Sequence, residues 1–166
     1  MSAREAAGAD ERRAPKNAND RCLVVGYDRG ESARAAVEWA ARQLPPDGRL
    51  VVVFAEKPLH APQSPLSSAG ERRRFAGAAI DELLLETDGA VLDCEISTEI
   101  SGEDPVSALR EAARRHGAEA IVLGSQQHSR VHQAIGTVTS ALLKDSPVPV
   151  TVVPSPAIDP LPSDSY

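Results

Sequence analysis

Five short apolar runs, separated by stretches of helical spacing, restrict this chain to very few architectures. CLVVGY (22–27), RLVVVFA (49–55), AVLDCEISTEI (90–100), AEAIVLG (118–124) and VPVTVVP (148–154) each read as a strand. The first run is continuously apolar and suits a strand buried on both faces, whereas the third alternates and suits a half-exposed edge. Between them, Ala33, Ala36, Val37, Ala40, Ala41 and Leu44 fall on one helical face, and Pro45, Pro46 and Asp47-Gly48 end that helix. A second stripe carries Phe75, Ala79, Ile80, Leu83 and Leu84. A third carries Val106, Leu109 and Ala113, with Asp104 placed to cap it, Pro105 at its first position and His116-Gly117 at its end. Strand alternating with helix means βαβ units, hence an α/β fold whose right-handed crossovers put helices on both faces of a parallel sheet.

Such a sheet binds ligands beyond the carboxyl ends of its strands, where the strand order reverses. The positions to search are therefore Tyr27-Asp28, Phe54-Ala55 and Gly124-Ser125. Twelve residues after Gly124 comes Gly136-Thr137, followed by Val138-Thr139. A Gly-Thr pair opening a helix would aim backbone N–H groups and the positive helix end at an anion. Gly124, Gly136 and Thr137 are thus candidate phosphate binders, or plain turn and cap residues. Asp28 could hold a ribose hydroxyl or simply satisfy a helix N-terminus. Tyr27 could line a base pocket or pack beside the sheet. Arg29 and Arg130 could face phosphates or solvent.

Composition narrows the function. The 166 residues suit one domain, with residues 1–20 and 155–166 reading as disordered tails around an ordered 21–154. The net charge of −6 and an aromatic content of 3% argue against nucleic acid, which wants a basic face and stacking rings. No run approaches a membrane span, and the charged N-terminus has no apolar signal core, so a cytoplasmic location is expected. Cys22 and Cys94 lie apart in apolar runs and read as buried reduced thiols in strands. His128 and His132 have metal-like i, i+4 spacing but no further ligand nearby, so no metal site is expected. There is no nucleophile elbow and no Walker A lysine. A phosphorelay receiver would need an acidic pair, a phosphoacceptor Asp and a Lys at strand ends that this chain lacks.

VVGYD with Trp39 eleven residues after its Asp, GEDPVSALREAARRHGAEAIVLGS, and GTVTSALLKDSPVPVTVVP together resemble the universal stress protein family over residues 21 to 154. The resemblance implies a Rossmann-like doubly wound sheet of five parallel strands in the order 3-2-1-4-5. It implies a stress-response regulator that binds an adenine nucleotide, ATP first among them, between strands one and four, with Mg accompanying the phosphates. The positions carried over are Tyr27, Asp28, Ala55, Gly124, Ser125, Gln127, Arg130, Gly136, Thr137, Val138 and Thr139. It also implies a homodimer paired through the last strand, 149–153, and an unidentified regulatory protein partner. No catalytic residue is expected, and at most slow ATP hydrolysis.

The chain departs from the family pattern G-x-x-G, nine residues, G-[S/T]. Gln127 stands at the second glycine, eight residues (128–135) precede Gly136, and the usual Asp-Gly-Ser is Asp28-Arg29-Gly30. These departures favour a second reading, a dimer of the same fold that has lost the nucleotide and acts as a protein-interaction module. A small-molecule enzyme in the same cleft is a third. One conflict concerns Gly136: Val131, Ala134, Ile135, Val138, Ala141 and Leu142 form one stripe that reads as a helix from about 130 to 144, whereas the family pattern has a loop at 126–135 and begins the helix at Gly136. We expect the latter.

Overall fold

The computed structural model describes residues 20–55, 69–87, 93–125 and 136–154. Among them the elements run β1 (Cys22–Gly26), α1 (Glu31–Gln43), β2 (Arg49–Ala55), α2 (Ala69–Glu86), β3 (Glu95–Ser101), α3 (Pro105–His116), β4 (Ala120–Gly124), α4 (Thr137–Lys144) and β5 (Val150–Val153). The five strands form one parallel sheet in the order β3-β2-β1-β4-β5, which is the doubly wound order expected. The chain winds outward from β1 to β3, then crosses back to β4. The switch point therefore lies between β1 and β4, and a cleft opens there by construction.

Strand alternation divides the core into two layers. Leu23, Val25, Leu50 and Val52 face α1 and α2, where they meet Ala36, Val37, Ala40 and Leu83. Cys22, Val24, Val51, Val53 and Ile121 face α3 and α4, where they meet Leu109, Ala112 and Leu142. Each such Val or Leu contributes about 1.5–3 kcal/mol on full burial. Alanines on the inner faces of α1 and α3 let the helix backbones lie close to the sheet, so a chain poor in aromatics still fills its core. Trp39, off the main stripe of α1, is half-buried and packs against the first layer.

The bounds of two expected strands shift. The third strand, expected over 90–100, is Glu95–Ser101. Its seven residues pair one for one with Arg49–Ala55, so the ladder begins only where β2 offers a partner. Cys94 therefore lies just before the strand rather than in it; it and Cys22 are free and buried. The last strand is shorter than 148–154, because only Val150–Val153 find partners on β4. The helix conflict resolves at Gly136, which is extended at φ −57° and ψ 158° and caps α4 rather than continuing a helix through it. Expectations for residues 1–19, 90–92, 126–135 and 155–166 lie outside the described residues. No helix among the described residues is long and apolar enough to cross a membrane.

Candidate functional site

The cleft at the switch point has a volume of about 270 Å³. Its first rim is the β1–α1 turn. Tyr27 N donates to Val53 O at 2.9 Å and carries the sheet ladder one residue past β1. Asp28 then turns the chain, its Oδ1 accepting from Gly30 N at 2.8 Å. Arg29 between them has φ 69°, a left-handed conformation that costs a residue with a Cβ roughly 1 kcal/mol. Its guanidinium reaches Glu82 on α2 at 3.2 Å, away from the cleft. Gly30 caps α1 without a side-chain hydrogen bond, and its carbonyl accepts from Arg34 N at 3.0 Å. Burial pushes the Tyr27 phenol above its usual range, and Arg34 beside it offsets part of that rise.

The second rim is built by β4 and α4. Ser125 N donates to Val153 O at 2.8 Å, extending the β4–β5 ladder. At Gly124 a Cβ would lie 2.2 Å from the Ser32 carbonyl oxygen and 2.7 Å from Ala33 N. The end of β4 thus lies directly against the first turn of α1, an approach only glycine permits. At Gly136 a Cβ would meet nothing within 4 Å. Gly136 caps α4 with no side-chain hydrogen bond, so the N–H groups of that first turn face the cleft without a capping side chain. Thr139, one turn in, is only 6% exposed and lines the cleft. Its hydroxyl has no hydrogen-bond partner among the described residues.

Helix α3 begins at the same cleft and is finished differently. Asp104 Oδ1 accepts from Val106 N at 3.0 Å and Ser107 N at 3.1 Å. The Ser107 hydroxyl, with these two N–H groups, holds the Asp104 carboxyl below its usual range. Pro105 and Leu109 then supply an apolar wall, and Gly26, Val53 and Leu123 supply the floor.

The structure brings Tyr27, Asp28, Ala55, Gly124, Gly136, Thr137, Val138 and Thr139 to one cleft. Ser125 is spent on the ladder to β5 and is not part of the lining. Gln127, Arg130, His128 and His132 lie outside the described residues. Among those described, no three His, Cys, Asp or Glu side chains cluster as metal ligands do. Sequence reasoning missed Ser32, Pro105 and Leu109. A usable signal existed for Pro105: it marks the start of a helix that follows a strand's carboxyl end, and such a start lies on the same edge of the sheet as the cleft.

The profile of the universal stress protein family matches residues 21–154. No curated protein matches the sequence. Among solved structures, the universal stress protein UspA of Lactobacillus plantarum is 24% identical, with a TM-score of 0.62 over 82% of this chain and 99% of that one. A universal stress protein family member from Arabidopsis thaliana, solved with AMP bound, is 16% identical, with a TM-score of 0.54 over 87% of this chain and 97% of its own. One from Archaeoglobus fulgidus, in complex with dAMP, is 17% identical, with a TM-score of 0.55 over 81% and 98%. With a family profile spanning the whole described sheet and a strand order to match, this chain belongs to the universal stress protein family.

Proposed function

We propose that this protein is a cytoplasmic stress-response regulator that binds an adenine nucleotide, ATP foremost, in the cleft between β1 and β4. The observation that carries this reading is the start of α4. Among the described residues nothing lies within 4 Å of a Cβ added to its N-cap glycine, no side chain caps its N–H groups, and the buried Thr139 hydroxyl beside it has no partner. A helix N-terminus left in this state is suited to a phosphate. The apolar floor and the Pro105–Leu109 wall suit a purine ring, and relatives of the same fold hold AMP and dAMP. Mg would accompany a triphosphate.

Thermal unfolding with ATP, ADP, AMP and cyclic AMP, with and without Mg, tests this. A ligand present at a hundredfold excess over its Kd adds about 2.7 kcal/mol of stability. A rise in Tm with any of the four supports the reading; no rise at millimolar concentration with all four contradicts it.

A second feature favours a homodimer through the last strand. β5 is an edge of the sheet, Val152 on it is 39% exposed, and Leu143 on the neighbouring α4 is 53% exposed. An apolar strand at the edge of the described sheet is suited to pairing with a second strand. If nucleotide binding fails, this edge and Gln127 support the interaction-module reading with an unidentified protein partner. A Val152→Asp variant, compared with the native chain by sedimentation, is expected to be monomeric.

A further inference from the structure

The two rims of the cleft differ in charge, and the difference assigns a role to a residue outside the family's sequence pattern. On the α4 side the backbone N–H groups at the positive helix end favour an anion. On the α1 side the N-cap glycine Gly30 likewise has no side-chain hydrogen bond, but there Asp28 places a carboxylate at the rim and Glu31 another in the first turn; these negative charges offset the positive helix end and favour a hydrogen-bond donor over an anion. A nucleoside phosphate lying across the cleft therefore has one preferred direction, with its phosphate toward α4 and its sugar hydroxyls toward Asp28.

Ser32 stands beside Asp28 on this rim and lines the cleft. Its hydroxyl is not used to cap α1, because Gly30 is the N-cap, and it has no hydrogen-bond partner among the described residues. Its backbone is closely packed: the Ser32 carbonyl lies so near Gly124 that an added Cβ there would stand 2.2 Å from the oxygen. Ser32 thus lines the cleft where the first turn of α1 lies against the end of β4. A carboxylate only accepts, whereas a serine hydroxyl can donate. Together they match a sugar hydroxyl, which donates to one and accepts from the other.

We propose that Ser32 is a specificity-determining residue that reads a ribose hydroxyl together with Asp28, so that the site selects ribonucleotides over deoxyribonucleotides. This rests on the nucleotide reading above, and the test separates the two. AMP, 2′-deoxy-AMP and 3′-deoxy-AMP are titrated calorimetrically into the full chain and into a Ser32→Ala variant. For the native chain, at least one deoxy analogue is expected to bind about tenfold more weakly than AMP, the scale of one lost hydrogen bond with a stranded partner. The Ser32→Ala change is expected to weaken AMP by roughly three- to tenfold and to leave that analogue unaffected. Equal affinity of the native chain for all three ligands overturns the role of Ser32 and leaves nucleotide binding intact. So does an equal loss across all three in the variant, or no loss for AMP. Failure of the native chain to bind AMP and ATP alike overturns both.

Discussion

Helices α3 and α4 both begin at the cleft, and they begin differently. α3 is closed by its own sequence, since Asp104 takes two of its first N–H groups and Pro105 removes a third. α4 has a glycine in the capping place and no side chain over its N–H groups. Two glycines repeat the contrast. The space beside Gly124 is filled by the backbone of Ser32 and Ala33, while the space beside Gly136 is open. In each pair one position is completed by the chain itself, and the other has no such partner among the described residues. Changes at the completed positions should therefore cost stability, and changes at the open ones should cost ligand.

The largest expected effect is at Gly124. A Gly124→Ala variant forces a Cβ into the α1 backbone, and backbone cannot swing aside as a side chain can. A loss of roughly 3 kcal/mol or more is expected in chemical denaturation, at the upper end for overpacking. A loss under about 1 kcal/mol would show that α1 and β4 separate easily, and the close packing there would be wrong.

Removing the cap of α3 makes it resemble α4. Asp104→Ala is expected to cost about 1 kcal/mol at neutral pH. The sign with pH follows from the carboxyl's lowered pKa in the fold. The Asp104 contribution is present above the unfolded-state value and is lost as pH falls through the folded-state one. The difference between native and variant stability should therefore shrink on acidification. A gap that stays constant from pH 7 to strongly acid conditions would contradict the cap.

Arg29 sharpens the closed rim further, because among the described residues it is the non-glycine residue with positive φ. Arg29→Gly releases that strain but gives up the exposed Glu82 pair and adds backbone freedom to the unfolded chain. A net gain of roughly 0.5 kcal/mol is expected by denaturant titration. A net loss would mean that the pair with Glu82 outweighs the strain.

The fold was legible because its signals were local and mutually consistent. Apolar runs gave all five strands, and Pro45-Pro46, Asp104-Pro105 and Gly117 marked helix ends that the structure places where the sequence put them. The start of β3 was not legible, since Asp93 and Cys94 have the same alternation as the strand and only pairing with β2 excludes them. The site was legible where it rests on strand ends and loop glycines, namely Asp28, Gly124 and Gly136. It was not legible at Leu109, whose helical pattern is the same whether the face covers the sheet or a cleft. The packing demand at Gly124 was not legible for a related reason. Its requirement for glycine comes from Ser32 and Ala33, about ninety residues earlier in the chain, a contact no local pattern encodes.

The smallest expected change in stability accompanies the largest expected change in binding, and it gives the most direct test. Gly136→Ser installs on α4 the kind of cap that α3 already has. Serine exceeds glycine as an N-cap by a few tenths of a kcal/mol, so the variant should be as stable as the native chain or slightly more so. Its hydroxyl would also occupy the N–H groups and the open space assigned to phosphate. Calorimetric titration of ATP into both proteins, with their unfolding curves measured alongside, should show binding to the native chain and its loss in the equally stable variant. Equal ATP affinity in the two would contradict the account of α4 as the phosphate-binding end of the cleft.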